Sequence, residues 1–318
     1  MPESQIAVLG ECVADAFTTG SPEEGELALR VLPGGGPANT AVALARLGTP
    51  TRFLGRISGD VFGGLFRARL GASGVNLSGC VPASEPSTLA VATLDAEGQA
   101  RYSFHADGTA DWQWRREELD PARLGGASCL HAGSLTLVRP PGAARVEEFL
   151  EAAGRMATIS IDPNVRAALV DPAVYQERML RWCALADVVK LSDDDLAHIH
   201  PDQDVQRVCD TWHGAGVRLV VVTRGSLGAL VSVDGARAEV PASAADVVDT
   251  VGAGDSFTAG VLHLLGERGL LGGRLDALDL EAAVDAALFA ARVAARTCSV
   301  AGANPPWAHE LSREDLAV

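Results

Sequence analysis

Basic residues are scarce in this sequence. Its 318 residues include 26 lysines and arginines against 41 aspartates and glutamates, which gives a formal net charge of −15, and there is no long basic run. A chain this acidic repels the phosphates of nucleic acids and the headgroups of anionic membranes. We therefore predict that neither nucleic acid nor a membrane is a partner.

Lysine itself is almost missing. Lys190 is the only lysine among the 26 basic residues. An ammonium group is more compact than a guanidinium, so a lysine in an arginine-rich chain suits a site where an arginine does not fit. Chance retention is the alternative, and composition does not separate the two.

Cysteine pairs and long apolar runs are also absent. The six cysteines contain no CxxC pair, which argues against a zinc ribbon and a disulfide framework. No window approaches 18 uninterrupted apolar residues, and the N-terminal MPESQIAVLG lacks the segments of a signal peptide. We expect a cytoplasmic protein with reduced thiols.

Several catalytic signatures are missing too. The chain has no GxxxxGKS or GxxxxGKT phosphate loop, no protein-kinase signature set, no HExxH and no GxSxG. After the first predicted strand it reads GECVAD, where a Rossmann dehydrogenase would have GxGxxG. Dinucleotide binding of the usual kind is therefore disfavoured.

Short aliphatic runs alternate with amphipathic stretches along the chain. The runs predict buried strands at 5–10, 52–57, 128–133, 157–162, 187–192 and 218–223, and the stretches predict helices at 36–48, 174–186, 257–269 and 281–298. Strands that alternate with helices indicate βαβ units. We predict an α/β fold with a mostly parallel central sheet covered by helices on both faces.

Three segments depart from this alternation of strands and helices. The segments 26–32, 87–95 and 100–106, the last two joined at a Glu97-Gly98 turn, alternate like a half-exposed antiparallel sheet. We predict that they form a small β lid, built from insertions at about 12–33 and 85–112. The lid would belong to a single domain spanning residues 1–318.

Polar residues follow several of the predicted strands. They are Asp15 after the first strand, Asp162, Asn164 and Arg166 after the strand at 157–162, Lys190, Ser192 and Asp195 at the end of the next, and Thr223 after the strand at 218–223. Open α/β sheets bind ligands outside the carboxyl ends of their strands. These residues therefore mark the predicted site.

The segment VGAGDSF places Gly252, Ala253 and Gly254 directly before Asp255 at a predicted helix start. Backbone N–H groups left free there favour a bound anion, and the small residues let a phosphate approach closely. The adjacent carboxylate could accept a hydroxyl proton, so the segment is suited to phosphoryl transfer to an alcohol. An ordinary acid in a helix's first turn, worth about 0.3–1 kcal/mol, is the alternative.

The segment PGGGPANTAVALARLG (33–48) has a similar design. Its glycines, Gly34 and Gly35 among them, allow the backbone to approach a ligand, and Asn39 could present an amide to a polyol hydroxyl. Asp15 could accept two further hydroxyl protons. Together these residues suit sugar recognition, although a tight strand-to-helix turn accounts for the glycines without a ligand.

These segments resemble the ribokinase-like (PfkB) carbohydrate kinases, and among them the fructokinase-like branch most closely. Seven motifs in the family's order carry the resemblance: GE with Asp15, GGGPAN with AVALARLG, GRISGDVFG, DPNVR, VVKLSDDDL, VVTRGSLGAL and DTVGAGDSF. The resemblance implies a ribokinase-like three-layer α/β/α fold and transfer of the γ-phosphoryl group of ATP to a sugar hydroxyl, with Mg²⁺. A 2-keto-3-deoxygluconate kinase, a ribokinase, a nucleoside kinase and a non-catalytic sugar-binding protein remain alternatives.

The resemblance also implies roles for single residues. Asp255 would be the general base, and Gly252, Ala253 and Gly254 would hold the developing phosphate charge. Thr223, Gly225 and Gly228 would lie near ATP, Lys190 would offset phosphate charge, and Asn164 and Arg166 would face the substrate. Ser192 and Asp195 take the places of the family's Asn-x-x-Glu motif, where Asp195 would bind Mg²⁺ through water. Asp249 belongs to a loop that binds a monovalent cation such as K⁺ in several members.

Two departures from the family pattern leave details open. The lid run SFHADGTADWQW places His105 and Asp107, which we predict to contact the substrate, where fructokinase-like chains often have an arginine, so the preferred sugar stays a hypothesis. The run TCSVAGANPP lacks the usual basic residue before its glycine, which leaves K⁺ dependence open. Because lid sheets of this family often pair across a dimer, we expect a homodimer formed through the lid.

Overall fold

The computed structural model describes residues 4–19, 26–94, 100–312 and 315. Its strands are β1 (Ile6–Leu9), β2 (Val13–Thr18), β3 (Leu29–Gly34), β4 (Thr51–Leu54), β5 (Arg56–Ser58), β6 (Val81–Ala83), β7 (Thr88–Leu94), β8 (Ala100–His105), β9 (Cys129–Gly133), β10 (Thr158–Asp162), β11 (Val188–Ser192), β12 (Leu219–Thr223), β13 (Ala229–Val233) and β14 (Ala236–Val240). Its α-helices are α1 (Gly36–Arg46), α2 (Val61–Ala72), α3 (Ala143–Ala153), α4 (Pro172–Leu185), α5 (Asp193–Ile199), α6 (Val205–Ala215), α7 (Ala253–Glu267) and α8 (Leu280–Cys298).

The main sheet has eight strands in the order β14-β13-β12-β11-β10-β9-β1-β4. The six strands from β12 to β4 in this order pair in parallel, and β13 and β14 complete one edge as antiparallel strands. Strands such as β1 and β9 are buried along their whole length. Burial on both faces is what an apolar parallel strand requires.

Helices cover both faces of this sheet. Apolar side chains of α3, α4, α5 and α6 form one buried cluster with one face, whereas those of α1, α2, α7 and α8 form the clusters on the other. The predicted three-layer α/β/α arrangement is confirmed. Within the described ranges, no helix combines the length and the hydropathy that crossing a bilayer would need.

The small sheet has four strands in the order β3-β2-β7-β8. The outer pairs, β2–β3 and β7–β8, are antiparallel as predicted, and the central pair β2–β7 is parallel. The parallel pair arises where the two insertions meet side by side. The predicted Glu97-Gly98 turn lies outside the described residues.

The predicted strand at 52–57 is divided in two. β4 ends at Leu54, and β5 pairs in parallel with β6 in a separate two-stranded sheet. The division falls at Gly55, where a Cβ atom would lie 2.4 Å from the ring of Phe53. Only glycine allows the chain to turn this close to the Phe53 ring.

All six cysteines are free thiols, and Cys12, Cys129, Cys183 and Cys209 are buried. This agrees with the absence of CxxC spacing. These thiols pack as small apolar groups.

Candidate active site

A cavity of about 380 Å³ opens between the carboxyl edge of the main sheet and the small sheet. The chain brings together there the residues that the sequence places far apart. Of the predicted site residues, Asp15, Gly35, Asn39, Asn164, Arg166, Lys190, Gly252, Gly254 and Asp255 line it. The cavity therefore joins the two glycine-rich segments with the polar ends of β10 and β11.

The two glycine-rich segments meet at Asp255. Asn39, in the second turn of α1, donates from Nδ2 to Asp255 Oδ2 at 2.9 Å. Gly36 leaves room for this contact, because a Cβ atom there would lie 3.2 Å from Asp255 Oδ1 and 2.7 Å from Asn164 Nδ2. Gly36 thus allows a carboxylate from α7, 216 residues from Asn39 in sequence, to come close to the α1 backbone.

The start of α7 presents free backbone donors. Gly252 precedes the helix with φ of 79°, a left-handed conformation that glycine adopts without strain. Within the described residues, the N–H groups of Gly252 and Gly254 make no hydrogen bond. The prediction of a third free donor is wrong: the N–H of Ala253 donates to the carbonyl of Thr250 at 3.2 Å, because the turn before α7 closes on itself.

A buried ion pair supports this helix start. Lys190 Nζ donates to Asp162 Oδ2 at 2.9 Å, and both residues are 5% exposed. The same ammonium would lie 3.1 Å from a Cβ atom on Gly254, so it sits next to the free N–H groups. Burial alone would lower the pKa of Lys190, but attraction by Asp162 and Asp255 raises it. The ammonium stays charged at neutral pH.

Asp255 has the properties of a base. Burial raises its pKa to about 6, and this value is limited by the hydrogen bond from Asn39 and by the charge of Lys190. A carboxyl with this pKa is mostly ionised at pH 7 and accepts a proton more readily than an exposed aspartate does. The geometry therefore places a carboxylate of raised pKa beside a helix start with free N–H groups.

The other end of the cavity carries further polar groups. Asp15, on β2, has its pKa raised to about 6 by burial, while the charge of Arg166 opposes this rise. Gly34 makes room for it, because a Cβ atom there would lie 2.0 Å from Asp15 Oδ2. Asn164 has φ of 43°, and Arg166 is exposed at the mouth. This end can exchange hydrogen bonds with several hydroxyl groups.

Two lining carboxylates had no predicted role, although Asp162 was among the polar residues that mark the predicted site. Asp162 pairs with Lys190, and Glu11, only 1% exposed, follows β1 at the cavity wall. Thr136 Oγ1 donates to Glu11 Oε2 at 2.7 Å, and burial raises the pKa of Glu11. The sequence offered one signal for each, an acid directly after an apolar strand.

The prediction that His105 and Asp107 contact substrate is not supported by their positions. Both are exposed, and Asp107 pairs with Arg139 at 2.5 Å. Phe104 lines the cavity, and neighbouring residues of a strand point to opposite faces, so His105 is directed away. The small sheet contributes the predicted Asp15 and, in addition, Val13, Thr88, Ala90 and Phe104.

Ser192 and Asp195 lie outside the cavity and cap α5. The N–H of Asp195 donates to Ser192 Oγ at 3.0 Å, and the N–H of Ser192 donates to Asp195 Oδ2 at 3.0 Å. The N–H of Val165 donates to Asp195 Oδ1 at 2.7 Å. Asp195 thus binds backbone donors and fixes the loop that carries Asn164 and Arg166.

The three residues predicted to lie near ATP follow β12. Thr223 pairs with Ser192 across β11 and β12. Gly225 and Gly228 have φ of 53° and 91°, and at Gly228 a Cβ atom would lie 2.0 Å from the carbonyl of Val240. Glycine is required at residue 228 by both conformation and space.

Asp249 ties the loop before α7 to the segment after α8. Its Oδ1 accepts from the N–H of Val251 at 3.1 Å, and its Oδ2 accepts from the N–H of Gly302 at 2.8 Å. Both carboxylate oxygens therefore bind backbone donors. Among the residues that the structure describes, no cluster of three or more His, Cys, Asp or Glu side chains is arranged to hold a metal ion.

Comparisons with known proteins agree with this geometry. Residues 3–310 match the family model described as pfkB family carbohydrate kinase. The fructokinase of Rhizobium leguminosarum bv. trifolii is 36% identical over 258 residues, which are 80% of this chain and 78% of that protein.

Solved structures of fructokinases are similar to this chain over nearly its whole length. The fructokinase from Xylella fastidiosa with bound ATP is 29% identical and superposes with a TM-score of 0.86 over 94% of this chain and 93% of that one. The fructokinase from Vibrio cholerae O395, in a form with fructose, ADP and calcium ion, is 26% identical with a TM-score of 0.78 over 95% and 94%. A double mutant of the latter has fructose, ADP and potassium ion bound.

Proposed function

The chain belongs to the pfkB family of carbohydrate kinases, and we propose that it transfers the γ-phosphoryl group of ATP to a hydroxyl of fructose. The observation that carries this proposal is the position of Asp255, between Asn39 and the free N–H groups of α7 and inside a cavity lined by hydroxyl-binding groups. The similarity to fructokinases supports the choice of sugar.

The charge of the cavity favours a neutral substrate. Glu11, Asp15 and Asp255 line it, and the charge of Asp162 is balanced by Lys190. Among the described lining residues, only Arg166 is a cation outside that pair. A substrate carboxylate would meet several like charges, which makes a neutral sugar more favourable than a 2-keto-3-deoxy acid.

In the proposed reaction, Asp255 takes the proton of a sugar hydroxyl as its oxygen attacks the γ-phosphorus of ATP. The new O–P bond forms while the bond from the γ-phosphorus to the bridging oxygen breaks, and ADP leaves. Lys190 and the free N–H groups of Gly252 and Gly254 stabilise the charge of the transferred group. ATP would extend along the loops that carry Thr223, Gly225 and Gly228.

The residue predicted to bind Mg²⁺ through water lies outside the cavity. Asp195 caps a helix and does not line the cavity, so it would not hold Mg²⁺ there. Mg²⁺ commonly binds nucleotide phosphates and keeps several waters, and it would enter with ATP as substrate. Asp249 links the loop before α7 to the segment after α8, and these are the two segments that the family resemblance associates with K⁺. The potassium ion in the double mutant of the Vibrio cholerae fructokinase supports testing K⁺ here.

The proposal is tested with a panel of acceptors. ADP release is measured with ATP and Mg²⁺ and with fructose, glucose, ribose, 2-keto-3-deoxygluconate or adenosine, each with and without K⁺. We expect kcat/KM for fructose to exceed that of every other acceptor by about tenfold or more, equivalent to about 1.4 kcal/mol. Preference for another class would overturn the choice of sugar, and no acceptor-dependent ADP release would overturn the kinase assignment.

We also propose that the small sheet acts as a lid over the cavity and that residues 1–318 form one functional unit in the cytoplasm.

We further propose that two copies of the chain form a homodimer by pairing their lids. Phe17, Leu27 and Leu29 are 37%, 57% and 41% exposed on or beside this sheet, where a second copy would cover them. Sedimentation at micromolar concentration is expected to give twice the chain mass of 32.9 kDa. A monomer, or a dimer that survives Phe17→Ser with Leu29→Ser, would contradict pairing through this surface.

A further inference from the structure

Glu11 is a buried carboxyl group that the proposed mechanism does not use. It lies two residues after β1, is 1% exposed, and its side chain lines the cavity together with Asp15. A buried ionisable group is costly unless polar partners satisfy it.

The surrounding structure holds Glu11 in a fixed position. Thr136 Oγ1 donates to Oε2 at 2.7 Å, and Thr136 is itself 2% exposed. Ser134, also in the wall, is close enough to Glu11 to lower its pKa, and it adopts φ of 61°, a left-handed conformation that is uncommon for serine. Strained backbone of this kind occurs preferentially at binding sites. Glu11 is thus held by the hydroxyl of Thr136 and flanked by Ser134.

Neighbouring charges limit what Glu11 can bind. Asp15 is in the same wall, Asp111 is close enough to be affected by the charge of Glu11, and the charge of Arg166 reaches it from the cavity mouth. An anionic partner is therefore excluded. A hydroxyl group, which can donate to a carboxylate or accept from a carboxylic acid, suits this wall.

We propose that Glu11 is a specificity-determining residue that binds one hydroxyl of the sugar, at the wall that it forms with Ser134 and Asp15. The inference rests on the proposed function, since it needs a neutral sugar in the cavity. Hydrogen bonds to charged groups contribute about 1.5–3 kcal/mol, so the contact should be measurable in kcat/KM. The hydroxyl bound by Glu11 differs from the one that Asp255 deprotonates.

The test pairs a protein change with substrate changes. Wild type and Glu11→Gln are assayed with the preferred sugar and with its single-deoxy analogues. Glu11→Gln is expected to lower kcat/KM for the parent sugar about tenfold to a hundredfold, mainly through KM. For one deoxy analogue, wild type and variant should agree within about twofold, since the contact is already missing. An equal loss for every analogue would overturn the proposal.

Asp111→Asn is the matched control. Asp111 is a neighbouring buried carboxyl, 3% exposed, that accepts from the N–H of Cys12 at 2.9 Å but does not line the cavity. The variant Asp111→Asn should therefore change kcat/KM by the same factor for the parent sugar and for every deoxy analogue. If Glu11→Gln does not fold, Glu11→Asp, which withdraws the carboxyl by one methylene, takes its place with the same expected pattern. If the wild-type protein is inactive on every neutral sugar, the proposed function itself is refuted. If the wild-type protein is active but Glu11→Gln shows no analogue-specific pattern, only the role of Glu11 is refuted.

Discussion

Asp255→Asn is expected to lower kcat by about 10² to 10⁴, with little change in the KM for ATP. The amide keeps the size of the side chain, but it cannot take the proton of the attacking hydroxyl. Asn39, which donates to Asp255 Oδ2 at 2.9 Å, can adjust by a small rotation of its amide, so the fold should persist. The measurement is steady-state ADP release at saturating sugar and ATP.

The pH profile supplies an independent check of the same role. A base works only when it is deprotonated, and burial raises the pKa of Asp255 to about 6. In wild type, kcat/KM for the sugar should therefore be flat above about pH 7 and fall as the pH drops through 6. Asp15 also has a pKa of about 6, so it can add to the slope of this acid limb. Asp255→Asn should lose its own contribution and become less steep.

Glu281→Gln is the control for a simple helix effect. Glu281 occupies the first turn of α8, as Asp255 does in α7, but it is exposed and does not line the cavity. An acid in that position contributes only about 0.3–1 kcal/mol through the helix dipole. Activity of Glu281→Gln should match wild type. Near-normal turnover in Asp255→Asn would show that Asp255 is also no more than a first-turn acid.

The layers of the fold could be predicted from the sequence because buried strands and helices each have a characteristic spacing of apolar residues. The run of β1 is apolar throughout, since both faces of the strand are covered. α7 and α8 were predicted from apolar residues at helical spacing. The break at Gly55 was not predicted, because an aliphatic run continues across it and only the position of Phe53 shows the need for glycine.

Site residues were harder to predict when their role depended on distant partners. Glu11 receives its hydrogen bond from Thr136, 125 residues away, and no local pattern indicates that contact. His105 was predicted to contact the substrate, whereas the neighbouring Phe104 lines the cavity. The prediction was wrong because the face that a strand turns to the cavity depends on its packing in the small sheet. Asp195 is different: Ser192 and Asp195 form a capping box that their spacing alone would have revealed.

Lys190→Met is expected to destabilise the protein by about 3–5 kcal/mol, since it leaves the carboxylate of Asp162 buried without its partner. The two groups are 2.9 Å apart, and each side chain is 7% exposed. The double variant Lys190→Met with Asp162→Asn should recover much of this stability, because no charge is then left unpaired. The free energy of unfolding is measured by urea denaturation at pH 7.

Activity should not follow stability in this series. The ammonium of Lys190 lies beside Gly254 at the start of α7, where it would stabilise the transferred phosphoryl group, and the double variant lacks it. We expect the double variant to fold and to lose about 10² or more in kcat. Arg116→Met, which breaks an exposed pair with Glu148 at 3.1 Å, is the control and should cost less than about 1 kcal/mol without affecting kcat. Recovery of both stability and turnover in the double variant would mean that Lys190 only balances Asp162, and the single lysine of the chain would then have no part in the chemistry.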